Sequence, residues 1–159
     1  MNNNKSLALA LQGGGSHGAI TWGVLDRLLE EERLDLEGFT GTSAGAMNAA
    51  VLAYGLHKGG RELARELLDE LWRRVSNMSA WSPMQPTWLD MWLGNGNLDT
   101  SPGYLLSEVT SIFYSPYQLN PMDYNPLRKV LEELVDFREL KQCKVTKIFV
   151  CATNVRRGR

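Results

Sequence analysis

Residues 7–18 of the chain are Leu7-Ala-Leu-Ala-Leu-Gln-Gly-Gly-Gly-Ser-His-Gly18, and residues 41–45 are Gly41-Thr-Ser-Ala-Gly45. The first stretch is an unbroken apolar run that ends in glycines, as in a buried parallel strand followed by a tight loop. Gly13 and Ser43 are 30 residues apart, the length of one strand–helix–strand unit with a right-handed crossover. The sequence therefore predicts an α/β fold with a mostly parallel sheet.

The apolar pattern of the remaining sequence predicts further helices and strands. Beyond Gly18, apolar residues recur with helical spacing at Ile20, Val24, Leu25, Leu28 and Leu29. A helix of small residues is expected to follow Gly45 and to end at Gly55, which would act as a breaker. The other predicted elements are an amphipathic helix over 61–76, a helix from Asn125-Pro126 to Val135 and a buried strand over 147–153.

The segment from about residue 78 to 124 differs in composition from its surroundings. It contains eight of the chain's fourteen aromatic residues and five of its six prolines, and few charges. We interpret it as an insertion of short helices and loops within a single domain that spans residues 1–159.

The charge balance and the cysteine content limit the classes of function. Seventeen Lys and Arg residues against eighteen Asp and Glu give a net charge of −1, without the basic excess of nucleic-acid-binding proteins. Cys143 and Cys151 are too few for a disulfide framework and are expected to be reduced thiols. We find neither a signal peptide nor an apolar run of about 18 residues, and so expect a cytoplasmic location.

Residues 41–45 match Gly-x-Ser-x-Gly, the pattern of a nucleophilic serine on a strained turn between a strand and a helix. Gly41 and Gly45 fit this interpretation because larger side chains beside Ser43 would clash with the backbone. The following helix would direct its positive N-terminal end at the site and favour a developing oxyanion. An ordinary glycine-rich turn is the alternative, but the context leads us to predict that Ser43 is a nucleophile.

Residues 13–18 match Gly-x-Gly-x-x-Gly, a pattern that also occurs in dinucleotide-binding folds. Such a fold carries an acidic residue about 20 positions further on, at the end of the second strand. Asp35 and Glu37 have about this spacing, but we expect both to precede the second strand. We therefore favour an oxyanion hole of backbone N–H groups near Ser43 over a dinucleotide-binding oxidoreductase.

The two glycine motifs, their separation and the small-residue helix that follows resemble the patatin-like phospholipases. The resemblance is specific over residues 7–56. It implies a three-layer α/β/α fold and hydrolysis of acyl esters by a Ser–Asp dyad, with no metal, no cofactor and no histidine base. It also implies that Ser43 is the nucleophile and that the oxyanion hole and elbow are built by Gly13, Gly14, Gly15, Gly41 and Gly45. One departure is His17, where this family often has Arg or Lys.

The catalytic base is the part of the dyad that this sequence does not supply. His57 lies 14 residues beyond Ser43, roughly 21 Å away along one helix at ~1.5 Å per residue. His17 sits in the glycine loop and could approach Ser43, although a loop residue held by its backbone is the simpler interpretation. The family's aspartate lies in an Asp-Gly turn, and the chain contains no Asp-Gly pair.

The available aspartates lack the expected context and are more simply caps or loop carboxylates: Asp90, Asp99, Asp123 and Asp136. We therefore expect the catalytic aspartate to lie beyond residue 159. In that interpretation residues 1–159 are the N-terminal part of a longer protein and are inactive on their own.

The aromatic segment suggests how an acyl chain would be held. Trp81, Trp88 and Trp92 are candidates for an acyl groove or for peripheral contact with a lipid surface. Covering of the core and a contact between copies of the chain are the alternatives. The leading hypothesis is a serine lipid acyl hydrolase, and the alternative of a different class is a non-catalytic lipid-binding or scaffold module.

Overall fold

A computed structural model describes residues 4–79, 124–144, 146–152, 154 and 157. The chain divides into two compact units, residues 1–73 with 127–159, and residues 74–126. The predicted insertion over 78–124 lies almost wholly outside the described residues. In chain order the elements are β1 Lys5–Leu11, a 3₁₀ turn Gly15–His17, α1 Gly18–Leu29, β2 Leu34–Gly41, α2 Ala44–Ser79, α3 Pro126–Leu134, α4 Phe137–Leu140 and β3 Lys147–Val150.

The described strands form a parallel sheet in the order β1-β2-β3. The connection from β1 to β2 contains α1, as the 30-residue spacing of the two glycine motifs predicted. Asp35 and Glu37 lie inside β2 rather than before it, which corrects the expected start of this strand. Their carboxylates accept hydrogen bonds from Asn4 and Ser6 at the start of the sheet. The predicted α/β fold with a parallel sheet is confirmed.

The third strand is confirmed, but its predicted burial is wrong. β3 ends at Val150 rather than at residue 153, and Phe149 and Val150 are 62% and 59% exposed. The apolar run predicted burial on both faces because central parallel strands have this composition. β3 instead lies at the outer edge of the described sheet and pairs there with β2 alone.

The helix α1 buries a narrower stripe than its apolar residues suggested. Leu25 and Leu29 are buried, whereas Ile20 and Val24 are 70% and 56% exposed. Gly18 is also buried and shares a face with Leu25 and Leu29 at a helical repeat of about 100° per residue. The predicted helix is confirmed, and Ile20 and Val24 lie on its opposite side, away from the buried stripe.

The helix α2 bends at Gly60 rather than ending at Gly55. Gly60 has φ 77° and ψ −157°, a non-helical conformation that glycine tolerates. A Cβ on Gly55 would lie 2.4 Å from the Cα of Ala64, although nine residues of straight helix span about 13.5 Å. The chain therefore folds back on itself at Gly60, and Gly55 is a close-packing position instead of a breaker.

A buried polar bridge joins α1 to both halves of α2. The Asn48 side chain is fully buried, and its Nδ2 donates to the Gly18 carbonyl at 3.0 Å. Its Oδ1 accepts from the indole Nε1 of Trp72 at 2.9 Å. Buried polar groups must be paired because an unpaired one loses its hydration without compensation. Asn48 therefore fixes the start of α1 relative to α2.

We expect Asn48→Ala to lower the free energy of unfolding by about 2 kcal/mol, because it leaves the buried Trp72 indole N–H without an acceptor. Asn4→Ala is the matched control, since it removes an exposed hydrogen bond to Asp35 and should cost less than about 0.5 kcal/mol. Urea unfolding followed by circular dichroism measures both variants. Equal losses in the two variants would contradict the role assigned to Asn48.

An ion pair joins the same two helices at the surface. Arg65 on α2 donates to both carboxylate oxygens of Asp26 on α1, at 2.7 and 3.2 Å. The hydrogen bond from Arg65 holds the pKa of the Asp26 carboxyl below its ordinary value of 3.8. A lowered folded-state pKa stabilises the fold at pH values above the unfolded-state pKa. This contribution is lost as the pH falls through the lowered value.

Asp26→Asn should therefore lower the free energy of unfolding at pH 7 by about 0.5–1 kcal/mol, as expected for a partly exposed pair. The difference from wild type should shrink as the pH falls below 3.8. Asp69→Asn, which removes a pair within one helix to Arg73, should cost about 0.3–0.5 kcal/mol. Thermal melts from pH 7 to pH 2.5 test this, and a constant Asp26→Asn difference across that range would refute it.

Candidate active site

The carboxyl ends of the three described strands meet at one edge of the sheet. Leu11 pairs in register with Gly41, and Gly41 pairs with Val150. The glycine loop follows β1 at this edge, and the serine turn follows β2. The helices α1 and α2 consequently begin here, and their N-terminal ends carry partial positive charge. Ligands of open parallel sheets bind at this edge.

Ser43 occupies a strained turn between β2 and α2. Its φ is 54°, the one positive φ of a described non-glycine residue, and this region is unfavourable for a residue with a side chain. The Gly45 N–H donates to the Thr42 carbonyl at 3.0 Å, and the Met47 N–H donates to the Ser43 carbonyl at 3.1 Å. Ser43 is exposed at this tight turn, so an external molecule can reach it.

The glycines that flank Ser43 have no room for a side chain. A Cβ on Gly45 would lie 2.1 Å from the Leu11 carbonyl oxygen, and one on Gly41 would lie 2.5 Å from the carbonyl carbon of Gly45. These neighbours are backbone atoms that cannot move aside independently. Glycine is therefore required at position 45 by the contact with the end of β1, and at position 41 by the tightness of the turn itself.

The glycine loop lies directly against the serine turn. A Cβ on Gly13 would lie 2.8 Å from the Thr42 carbonyl oxygen and 3.3 Å from the Ser43 Cβ. Gly14 and Gly15 then have φ values of 131° and 57°, which glycine adopts without strain. Within the described part of the chain, the Gly14 and Gly15 N–H groups donate to no backbone carbonyl. Among the described residues, the loop thus has two N–H groups without a backbone acceptor, and it contacts the serine turn through Gly13.

His17 turns toward the glycine loop. Its ring Nδ1 lies 3.0 Å from the Gly14 carbonyl oxygen, and its backbone N–H donates to the same oxygen at 3.1 Å. Among the described residues, no side chain forms a hydrogen bond with the Ser43 hydroxyl. His57 lies within α2, 13 residues after its first residue. The predicted absence of a histidine base stays a prediction.

Asp136 is the one candidate aspartate that lies among the described residues, and it caps α4. Its Oδ1 accepts from the backbone N–H groups of Arg138 at 2.8 Å and Glu139 at 3.2 Å. The hydrogen bond from the Glu139 N–H, followed by that from Arg138, lowers the pKa of Asp136. A capping carboxylate of this kind matches the interpretation made from sequence. Asp90, Asp99 and Asp123, and Trp81, Trp88 and Trp92, lie outside the described residues.

Two supporting residues were missed by reasoning from sequence. Gly18 belongs to the first glycine motif, and a Cβ there would lie 2.7 Å from the Ala44 Cβ and 2.8 Å from the Trp72 ring. Gly18 thus lets the start of α1 pack against the start of α2. Asn48 was detectable as a polar residue in an otherwise small and apolar helix, but its partner Trp72 lies in a distant turn of α2.

Metal sites and dinucleotide sites each have characteristic side chains. Among the described residues, no group of three His, Cys, Asp or Glu side chains has the geometry to hold a metal ion. The described end of β2 carries Gly41, Thr42 and Ser43 instead of the acidic residue that a dinucleotide ribose would require. No described helix is both long and apolar enough to cross a membrane.

Comparison with known proteins supplies the family. A family model described as Patatin-like phospholipase matches residues 9–156. The matched range contains the glycine loop and the serine turn and covers most of the chain. No curated protein and no solved structure matches the chain significantly.

We expect Gly45→Ala to destabilise the protein by at least ~3 kcal/mol, because the new methyl group would overlap the Leu11 carbonyl oxygen. Gly23→Ala is the control, since a Cβ at this exposed α1 position would meet nothing within 4 Å. Gly23→Ala should stabilise the helix by about 0.5–1 kcal/mol. Thermal melts of both variants test the prediction, and a Gly45→Ala protein as stable as wild type would exclude the described packing.

Proposed function

The chain belongs to the patatin-like phospholipase family of lipid acyl hydrolases, and we propose that it hydrolyses fatty-acyl esters with Ser43 as the nucleophile. The observation that carries this proposal is the positive φ of Ser43 at an exposed turn. Such strain is maintained only where the surroundings enforce it, and it is concentrated at functional sites. Here the enforcing contacts come from Gly41, Gly45 and the end of β1.

The proposed reaction has two stages. The Ser43 Oγ attacks the ester carbonyl carbon, and its proton passes to a general base as a tetrahedral oxyanion forms. The Gly13–Gly15 loop stabilises this oxyanion through the Gly14 and Gly15 N–H groups, which donate to no described backbone carbonyl. The intermediate then expels the alcohol, which takes the proton from the base. Water, deprotonated by the same base, attacks the acyl-enzyme. The second tetrahedral intermediate expels the Ser43 oxygen, which takes the proton back from the base as the fatty acid leaves.

We place the general base on an aspartate outside residues 1–159. Support comes from the described carboxylates, because none of them contacts Ser43 and Asp136 is engaged as a helix cap. A positioned general base contributes about 10²- to 10⁴-fold to a rate. Residues 1–159 by themselves should therefore have little or no hydrolase activity.

The proposed substrates are esters of long acyl chains, such as phospholipids, lysophospholipids or glycerides. Trp81, Trp88 and Trp92 are proposed to line the acyl groove or to contact a lipid surface, since Trp prefers the boundary between water and lipid. The proposed location is the cytoplasm with peripheral membrane contact. Free Cys143 and Cys151 agree with a reducing compartment.

A second candidate function is lipid binding without turnover. The observation that favours it is the Ser43 hydroxyl, which has no hydrogen-bonded base among the described residues. A fold that retains the serine turn but lacks a base would bind acyl chains and would not cleave them. Vesicle binding without release of fatty acid by the full-length natural protein would favour this alternative.

We expect Ser43→Ala in the full-length natural protein to reduce hydrolysis of medium- and long-chain nitrophenyl esters at least ~10³-fold, because the nucleophile is removed. Ser6→Ala is the control, since Ser6 is an exposed residue of β1 that bonds to Glu37. Its activity should equal that of wild type. Undiminished hydrolysis by a folded Ser43→Ala protein would contradict the assignment of the nucleophile.

A further inference from the structure

The Gly14 carbonyl receives two hydrogen bonds from a single residue. The His17 backbone N–H donates to the Gly14 oxygen at 3.1 Å, as in any 3₁₀ turn. The His17 ring Nδ1 lies 3.0 Å from the same oxygen. A carbonyl oxygen is an acceptor, so the proton of this bond is on Nδ1. The second bond is not required by the turn and depends on the side chain.

This bond also determines the direction of the neighbouring N–H group. The Gly14 carbonyl and the Gly15 N–H belong to one planar peptide unit, and no described peptide bond is cis. In a trans unit the C=O and N–H bonds point in opposite directions. Holding the carbonyl toward His17 therefore directs the Gly15 N–H away from His17.

Apart from the backbone bond of the 3₁₀ turn, the loop restrains this peptide unit little. Gly14 and Gly15 both have positive φ, where glycine has wide conformational freedom. A Cβ on Gly15 would meet nothing within 4 Å, so neighbouring atoms do not restrain the residue sterically. Rotation of the unit would turn the Gly15 N–H away from its present direction, and the two bonds from His17 to the Gly14 carbonyl oppose it.

We propose that His17 is a positioning residue that fixes the Gly14–Gly15 peptide through Nδ1, so that the Gly15 N–H faces the acyl oxygen at Ser43. This inference rests on the proposed function, because it assigns a task to the oxyanion loop. It gives the imidazole a role that needs neither proton transfer to Ser43 nor a fixed positive charge.

The location of the donor within the side chain makes the inference testable. An asparagine amide places its nitrogen at the same number of bonds from Cβ as the histidine Nδ1, so Asn retains the donor. A glutamine amide lies one bond further away, and alanine has no donor. His17 is exposed, so these substitutions should leave the fold intact.

In the full-length natural protein we expect His17→Ala and His17→Gln to lower kcat roughly tenfold or more, less than the ~10²–10³ for complete loss of an oxyanion donor. KM should change less than about twofold, since the interaction acts in the transition state. His17→Asn should stay within about threefold of wild type. The proposal would be overturned if all three variants kept the wild-type kcat. It would also be overturned if His17→Asn lost as much kcat as His17→Ala.

Nuclear magnetic resonance gives a readout that does not depend on turnover. The Gly15 amide order parameter should be near ~0.85 in wild type and His17→Asn, and below ~0.6 in His17→Ala. An unchanged order parameter in His17→Ala would overturn the proposal even if activity fell. Wild-type protein without turnover, or full turnover in Ser43→Ala, would instead refute the proposed function and leave the order parameters to decide how the peptide is held.

Discussion

The close approach of the start of α2 to the end of β1 is the constraint on which the rest of the site depends. Gly45 lies so near the Leu11 carbonyl that any side chain there would overlap backbone atoms. This contact forces a tight turn after β2 and places Ser43 at positive φ. It also brings the glycine loop, which leaves β1 at Leu11, beside the serine. One packing contact thereby sets both halves of the proposed catalytic site.

The layers behind the site hold that contact in place. Gly18 lets α1 touch Ala44 and the Trp72 ring, and the Asn48 side chain bonds to Gly18 and to Trp72. Trp72 can reach Asn48 because α2 folds back at Gly60. A sharp bend far from Ser43 in sequence therefore contributes to the position of the serine. Stable scaffolding of this kind is needed where a strained residue must keep one geometry.

The sequence was sufficient to predict the parallel sheet, the two glycine motifs and the turn at Ser43, because each depends on local residue size and spacing. It was not sufficient for features that depend on tertiary partners. A glycine such as Gly55 suggests the end of a helix, yet Gly55 lies inside α2 and packs against Ala64. Ile20 in α1 and Phe149 and Val150 in β3 are apolar, yet they are exposed because no described element covers them. The partner of a buried polar residue such as Asn48 likewise cannot be read from local pattern.

The central claim is that Ser43 is an activated nucleophile beside an oxyanion loop. The most direct measurement is mass spectrometry of the full-length natural protein, intact and after proteolysis, following treatment with a fluorophosphonate. The account predicts a single adduct that maps to Ser43, because such probes require both an activated serine and an oxyanion hole. A folded protein that gains no adduct, or gains one at another serine, would contradict the claim.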